Sequence, residues 1–134
     1  MVPHMPHYSL RESATVLGVS VDTVRRWVDA DRLPAVTDEQ GRKTVDGRDL
    51  AAFAVAAAGD TDRPGTPSSM RNRFAGIVTR VVRGDVAAQV EVQSGPHRLV
   101  SLLTREAVDE LDLQEGDRAI AIVKATNVSV ELPT

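Results

Sequence analysis

In the first fifty residues the apolar positions repeat with the period of a helix. Within "SLRESATVLGVS", residues 9–20, Leu10, Ala14 and Leu17 are spaced by four and three and share one helical face. Ser9 stands as an N-cap with Glu12 three residues on, the signature of a capping box, and Gly18 supplies the C-cap or turn that ends the helix. A second helix opens at Ser20 in "SVDTVRRWVDADRL", with Val21, Val24 and Val28 on one face and Trp27 beside them. "DGRDLAAFAVAAA" predicts a third, with Leu50, Phe53 and Ala54 facing inward. Between the last two, "PAVTDEQGRKTV" reads as a hairpin whose tip is residues 38–41, followed by Arg42 and Lys43.

Past residue 70 the period changes to two. Val86, Ala88, Val90 and Val92 alternate with Asp85, Ala87, Gln89 and Glu91, the mark of a half-buried strand. "FAGIVTRVV", "RLVSLL", "RAIAIVKA" and "NVSVEL" read as four further strands, and "TREAVDELDL" as one short helix capped by Thr104 with Glu106 in its first turn. Five short strands and one helix predict a small five-stranded barrel of the OB type. "AIAIV", residues 119–123, is apolar on both faces, so its outer face is expected to meet another subunit.

The segment between the two patterns, "AAAGDTDRPGTPSS", holds Gly59, Pro64, Gly65 and Pro67 and sustains neither helix nor strand. The expected organisation is therefore α+β in two domains. A small three-helix domain over 1–58 is followed by a linker at 59–68 and a β-barrel domain over 69–134.

Composition narrows the class. With 134 residues, 42% hydrophobic and 26% charged, the chain suits one ordinary or two small soluble domains. No apolar run approaches the roughly 18 residues of a membrane span. The opening "MVPHMPHYSL" lacks the basic and apolar regions of a signal peptide, and the absence of cysteine excludes disulfides and thiolate metal sites. A cytoplasmic protein is the expectation. His4, His7 and His97 are scattered, and no nucleophile triad, paired carboxylates or Gly-rich phosphate loop stands out. The expectation is a protein that is not an enzyme, with no organic cofactor and no bound metal cation. Net charge gives no blanket case for nucleic acid. Residues 1–62 hold seven Arg/Lys against ten Asp/Glu, and residues 63–134 nine against nine.

Helix, Gly-containing turn and second helix is nevertheless the helix-turn-helix order, in which the start of the second helix reaches base edges. Here that stretch offers Ser20, Val21, Asp22, Thr23, Arg25 and Arg26, and the hairpin adds Arg42 and Lys43 as a wing. On pattern alone the same residues also fit a plain three-helix domain with a solvated charged face. "YSLRESATVLGVSVDTVRRWVDADRLPAVTDEQGRKTVDGRDLAAFA" resembles the winged helix-turn-helix of the MerR-like and excisionase-like families, which implies sequence-specific binding of double-stranded DNA. It departs from them in its wing, "GRKTV", where the families often carry a more basic hairpin ending in an aromatic residue.

In the second half, "SSMRN" places two hydroxyls, a guanidinium and an amide just before a strand. Donors gathered without acceptors suit an anion, and Arg71 offers a planar fork of N–H groups. Lys124, Ala125 and Thr126 form a second donor group, and Thr104, at a helix N-terminus, a third. Spacing alone equally allows ordinary surface residues at strand ends. The stretch from Ser69 to Leu132 resembles the molbindin, or Mop, domain of the TOBE group. The likeness is carried by Ser69-Met70-Arg71-Asn72, Gly76, "AAQVEV", "LTREAV", "LQEG" and Lys124-Ala125-Thr126.

That resemblance implies a molybdate or tungstate ligand. Ser69, Arg71 and Thr104 would contact it by side chain and Met70 by its amide, joined by Lys124, Ala125 and Thr126. Met70 replaces the family's usual small residue, and Ala107 stands where many members place Ser. The family's site lies between subunits, which implies a homo-oligomer formed through the second domain. The combined expectation is a molybdate- or tungstate-responsive DNA-binding regulator. The alternative is a storage or carrier protein whose first domain mediates assembly.

Overall fold

In this computed structural model, residues 6–58 and 68–133 are described. The chain divides into two compact units, Met1–Thr61 and Asp62–Thr134. The linker expected at 59–68 lies outside the described residues except for Ser68, and His4 lies outside them too.

The first unit holds strand β1 (His7–Ser9), helices α1 (Leu10–Leu17) and α2 (Val21–Asp29), strands β2 (Val36–Thr37) and β3 (Lys43–Asp46), and helix α3 (Gly47–Ala58). Helices α1 and α2 start where their caps predict. The Ser9 N–H donates to Glu12 Oε1 at 3.0 Å and the Glu12 N–H to Ser9 Oγ at 3.1 Å, closing the capping box on α1. Gly18 ends that helix at φ 70°, a left-handed conformation that disfavours a side chain. Ser20 Oγ then accepts from the Thr23 N–H at 3.2 Å and starts α2.

Ala14, Val24, Val28, Leu33, Val45 and Leu50 form the core, with Leu10, Leu17, Trp27 and Phe53 packed around it. Burying each Val or Leu contributes about 1.5–3 kcal/mol, so helices and hairpin hold one another in place. The rings of Trp27 and Phe53 lie 5.0 Å apart. The hairpin tip falls at residues 38–41, where Asp38 Oδ1 accepts the amides of Gln40 and Arg42 at 2.9 and 2.8 Å. One element is additional to the sequence expectation: β1 pairs antiparallel with β3, His7 opposite Asp46, giving a three-stranded sheet of order β1-β3-β2.

The second unit holds β4 (Asn72–Arg83), β5 (Ala87–Ser94), β6 (His97–Thr104), helix α4 (Arg105–Leu111) and β7 (Arg118–Val123), in one antiparallel sheet of order β6-β5-β4-β7. The twelve residues of β4 serve two neighbours: residues 72–77 pair with β7, and 77–83 pair with β5. A register shift between Val78 and Arg80 marks the change, and bulges of this kind bend a strand. At Gly76 a Cβ would stand 2.1 Å from the carbonyl oxygen of Gln93, so only glycine allows this approach. Val78, Ala88, Val90, Val92 and Val108 form the core, which places α4 over the inner face.

Two features differ from expectation. "NVSVEL" is not a strand: β7 ends in a 3₁₀ turn, Ala125–Asn127, and residues 128–133 join no ladder. The sheet therefore has four strands and stays open between β6 and β7. The alternation of Val128, Val130 and Leu132 is that of a strand, but a strand needs a neighbour to satisfy its backbone groups. Val130 and Leu132 are 89% and 87% exposed. In β7 the small Ala119 and Ala121 lie half-buried, whereas Ile120 and Ile122 are 52% and 48% exposed. Glu91, on the polar side of β5, is buried beside the Arg98 guanidinium.

Candidate functional site

On α2, Ser20, Thr23 and Arg26 form one chain of hydrogen bonds. Ser20 Oγ and Thr23 Oγ1 lie 2.9 Å apart, and Arg26 Nη2 donates to Thr23 Oγ1 at 3.1 Å. Three other cations expected at this face have carboxylate partners. Arg25 Nη1 is 3.4 Å from Asp22 Oδ1, Arg42 Nε is 3.5 Å from Asp38 Oδ2, and Lys43 Nζ is 3.2 Å from Asp29 Oδ1. The last pair ties the hairpin to the end of α2. Val21, which begins the same helix, lies half-buried on its apolar face and packs against the core, as the spacing predicts. Asp29 and Asp38, acids that on sequence grounds would repel phosphate, are the ion-pair partners of the two hairpin cations. The Asp38–Arg42 spacing of four was visible in the chain, whereas the Asp29–Lys43 separation of fourteen needed the fold.

In the second unit the ladder of β4 and β7 sets Asn72 opposite Val123. The residues just outside that rung are therefore neighbours: 69–71 before β4 and 124–126 after β7. Asn72 Nδ2 donates to the Val123 carbonyl at 3.0 Å and fixes the two chain ends together. Ser69, Met70, Arg71, Lys124, Ala125 and Thr126 thus converge at one end of the sheet, although the two groups are 53 residues apart in the chain (71 to 124). Arg71 and Lys124 are exposed there. Lys124 precedes a 3₁₀ turn whose first amides, those of Ala125 and Thr126, have no partner inside the turn.

Ser68 already occupies two of these donors. The Met70 N–H donates to Ser68 Oγ at 3.1 Å, and Arg71 Nη1 donates to the Ser68 carbonyl at 2.7 Å.

Thr104 is not brought to this cluster. It ends β6 opposite Ala87, the residue that starts β5, and Ala88 pairs with Arg83 at the far end of β4. At about 3.3 Å per residue, the twelve residues of β4 put Thr104 on the order of 30 Å along the strand from Asn72. Its hydroxyl accepts the Ala107 N–H at 3.1 Å as the cap of α4. The surrounding surface is acidic, lined by Asp85, Glu106, Asp109 and Glu110 with Arg105, whose Nε lies 3.1–3.2 Å from both Asp109 oxygens. One chain therefore provides a cationic end and an acidic end bearing Thr104. Within one chain the two ends do not meet.

The open side of the sheet forms an apolar groove of about 440 Å³, lined by Val90, Val92, Leu99, Leu113, Ile120 and Ile122 among others. Among the described residues no helix is long and apolar enough to cross a membrane.

Capped helices joined by a glycine turn and followed by a hairpin make the first unit a helix-turn-helix with a hairpin beside it, and the second unit is a curled β-domain with a donor cluster at one end. The comparisons agree with both halves. The helix-turn-helix domain family matches residues 8–54, and the TOBE domain family matches residues 68–130. Molybdenum-pterin-binding protein 2 of Clostridium pasteurianum is 33% identical over 63 residues, which are 46% of this chain and 93% of that protein. The molybdenum transport protein ModE of Herbaspirillum seropedicae is 36% identical over 74 residues, covering 54% of this chain but only 28% of ModE. The solved structure of a molybdate-binding protein from Sporomusa ovata is 34% identical and covers 50% of this chain and all of that one, at a TM-score of 0.49. The chain belongs to the TOBE family and carries a helix-turn-helix domain ahead of its TOBE domain.

Proposed function

We propose that this protein is a transcription regulator whose helix-turn-helix unit binds double-stranded DNA in response to molybdate or tungstate held by its TOBE unit. The observation that carries the reading is the Asn72–Val123 rung, which supports the assembly of residues 69–71 and 124–126 into a ring of hydroxyls, amides and two cations. Such a ring suits a tetrahedral dianion that carries no protons. Side chains of Ser69, Arg71 and Lys124 and backbone amides of Met70, Ala125 and Thr126 supply the donors, and a second copy supplies Thr104. The acidic surround of Thr104 favours this sharing, because the cations must come from the partner's other end. The exposed isoleucines of β7, the apolar groove and the unpaired stretch 128–132 are the surfaces such an oligomer would cover, completing a fifth strand.

On DNA, Ser20, Asp22, Thr23, Arg25 and Arg26 face the major groove, with Arg42 and Lys43 on the backbone. The anion changes DNA affinity only through unequal affinity for two arrangements of the protein. A carrier reading has one specific observation in its favour: the second unit alone spans 93% of the Clostridium relative. Calorimetric titration of the full chain with molybdate, tungstate, sulfate and phosphate tests the ligand assignment. At about 100 times the dissociation constant, the bound anion adds roughly 2.7 kcal/mol and raises the melting temperature by several degrees. The absence of heat and of any thermal shift with both metal oxyanions overturns the reading.

A further inference from the structure

We infer that Asp22, Asp29 and Asp38 are specificity-determining residues: they neutralise the flanking cations of the reading face and leave Arg26 to recognise the operator. The inference rests on the DNA-binding reading above and goes beyond it by assigning a role to three carboxylates. Non-specific affinity comes from phosphates neutralised by Lys and Arg, each releasing a counterion from the duplex. Here Arg25, Arg42 and Lys43 each have a carboxylate at 3.2–3.5 Å. A phosphate that approaches one of these cations also approaches its acid, so the pair neutralises little and releases few counterions. Arg26 differs from the other three because its described partner is the neutral hydroxyl of Thr23 at 3.1 Å. A base edge is neutral, so a guanine can take the Arg26 fork bidentately without meeting this repulsion. Random DNA is thereby disfavoured and a correct site is not.

The test compares the full-length wild type with the double variant Asp29→Asn/Asp38→Asn. Asparagine keeps the side-chain oxygen that accepts the Gln40 and Arg42 amides at the hairpin tip, so the turn is retained. Fluorescence anisotropy measures binding to a random duplex and to the site enriched by selection, across about 50–200 mM salt. Two unmasked cations should steepen the salt slope on random DNA by nearly two units, at about 0.9 per phosphate. Across that salt range this is an additional loss of roughly tenfold. The ratio of operator to random affinity should fall at low salt. Arg26→Ala should weaken the operator by more than it weakens random DNA. Glu115→Gln, in the turn before β7, makes the same change of charge per residue in the other unit and should leave the slope unaltered.

A wild-type protein that binds its operator while the double variant keeps the wild-type slope overturns the inference alone. So does a Glu115→Gln variant that steepens the slope by half as much as the double variant. A selection that enriches nothing removes the DNA-binding reading itself.

Discussion

Arg71→Ala reads out the anion site most sharply. The guanidinium is exposed and its described hydrogen bond goes to the Ser68 carbonyl at 2.7 Å, so it contributes little to the folded state. A charge-assisted hydrogen bond to an oxyanion is worth about 1.5–3 kcal/mol. Binding also breaks the bond to Ser68, which offsets roughly 0.5 kcal/mol of that gain. The net loss on truncation is therefore about 1–2.5 kcal/mol, a dissociation constant roughly 5–70 times higher. Calorimetry with molybdate measures it, while the melting temperature of the anion-free variant should stay within a few degrees of wild type. Arg71→Lys should fall between, since it keeps the charge but loses the planar fork. A change of less than about twofold in Arg71→Ala would refute the assignment.

Other outcomes follow from the same structure. Gly76→Ala forces a Cβ to 2.1 Å from the Gln93 carbonyl, which should exceed the roughly 1–3 kcal/mol of ordinary overpacking and lower the melting temperature by about 10 °C or more. If the site is shared between copies, Arg71→Ala and Thr104→Val should each weaken the anion alone. A one-to-one mixture that exchanges subunits should recover wild-type affinity at about a quarter of its sites by statistical pairing, and no recovery would place all ligands on one chain. The Ser9 backbone N–H, with its hydroxyl, holds the Glu12 carboxyl below its ordinary pKa of 4.5. A depressed native pKa stabilises the fold fully above the unfolded value, and the contribution is lost as pH falls through the native one. The melting temperature of wild type should therefore decline on acidification below about pH 4.5 more than that of Glu12→Gln.

Much of this was legible in the chain because the signals were local. Ser9 with Glu12, Ser20, Gly18 and Thr104 each act within four residues, so caps and helix starts appear where the sequence places them. The inner row of β5, Ala88, Val90 and Val92, follows directly from alternation, whereas Val86, which continues the same pattern, lies before the strand and is 81% exposed. What escaped depends on partners distant in sequence. Strand β1 exists because His7 and Ser9 find β3 more than thirty residues away. "NVSVEL" has the pattern of a strand and no ladder partner among the described residues. For the proposed anion site, residue type alone picks out the donors at 69–71 and 124–126, and the β4–β7 ladder brings those two stretches to one end of the sheet. That Thr104 sits at the opposite end of the sheet follows only from the register of β4, β5 and β6.

The central claim is that an oxyanion and DNA act on one molecule, and the most direct measurement is the affinity of the full chain for its selected operator with and without saturating molybdate. Coupling of about 1–3 kcal/mol changes that affinity 5- to 150-fold, and the operator changes molybdate affinity by the same factor. The account predicts such a reciprocal shift, abolished by combining Arg71→Ala with Lys124→Ala. Tight molybdate binding that leaves operator affinity unchanged within about twofold contradicts it.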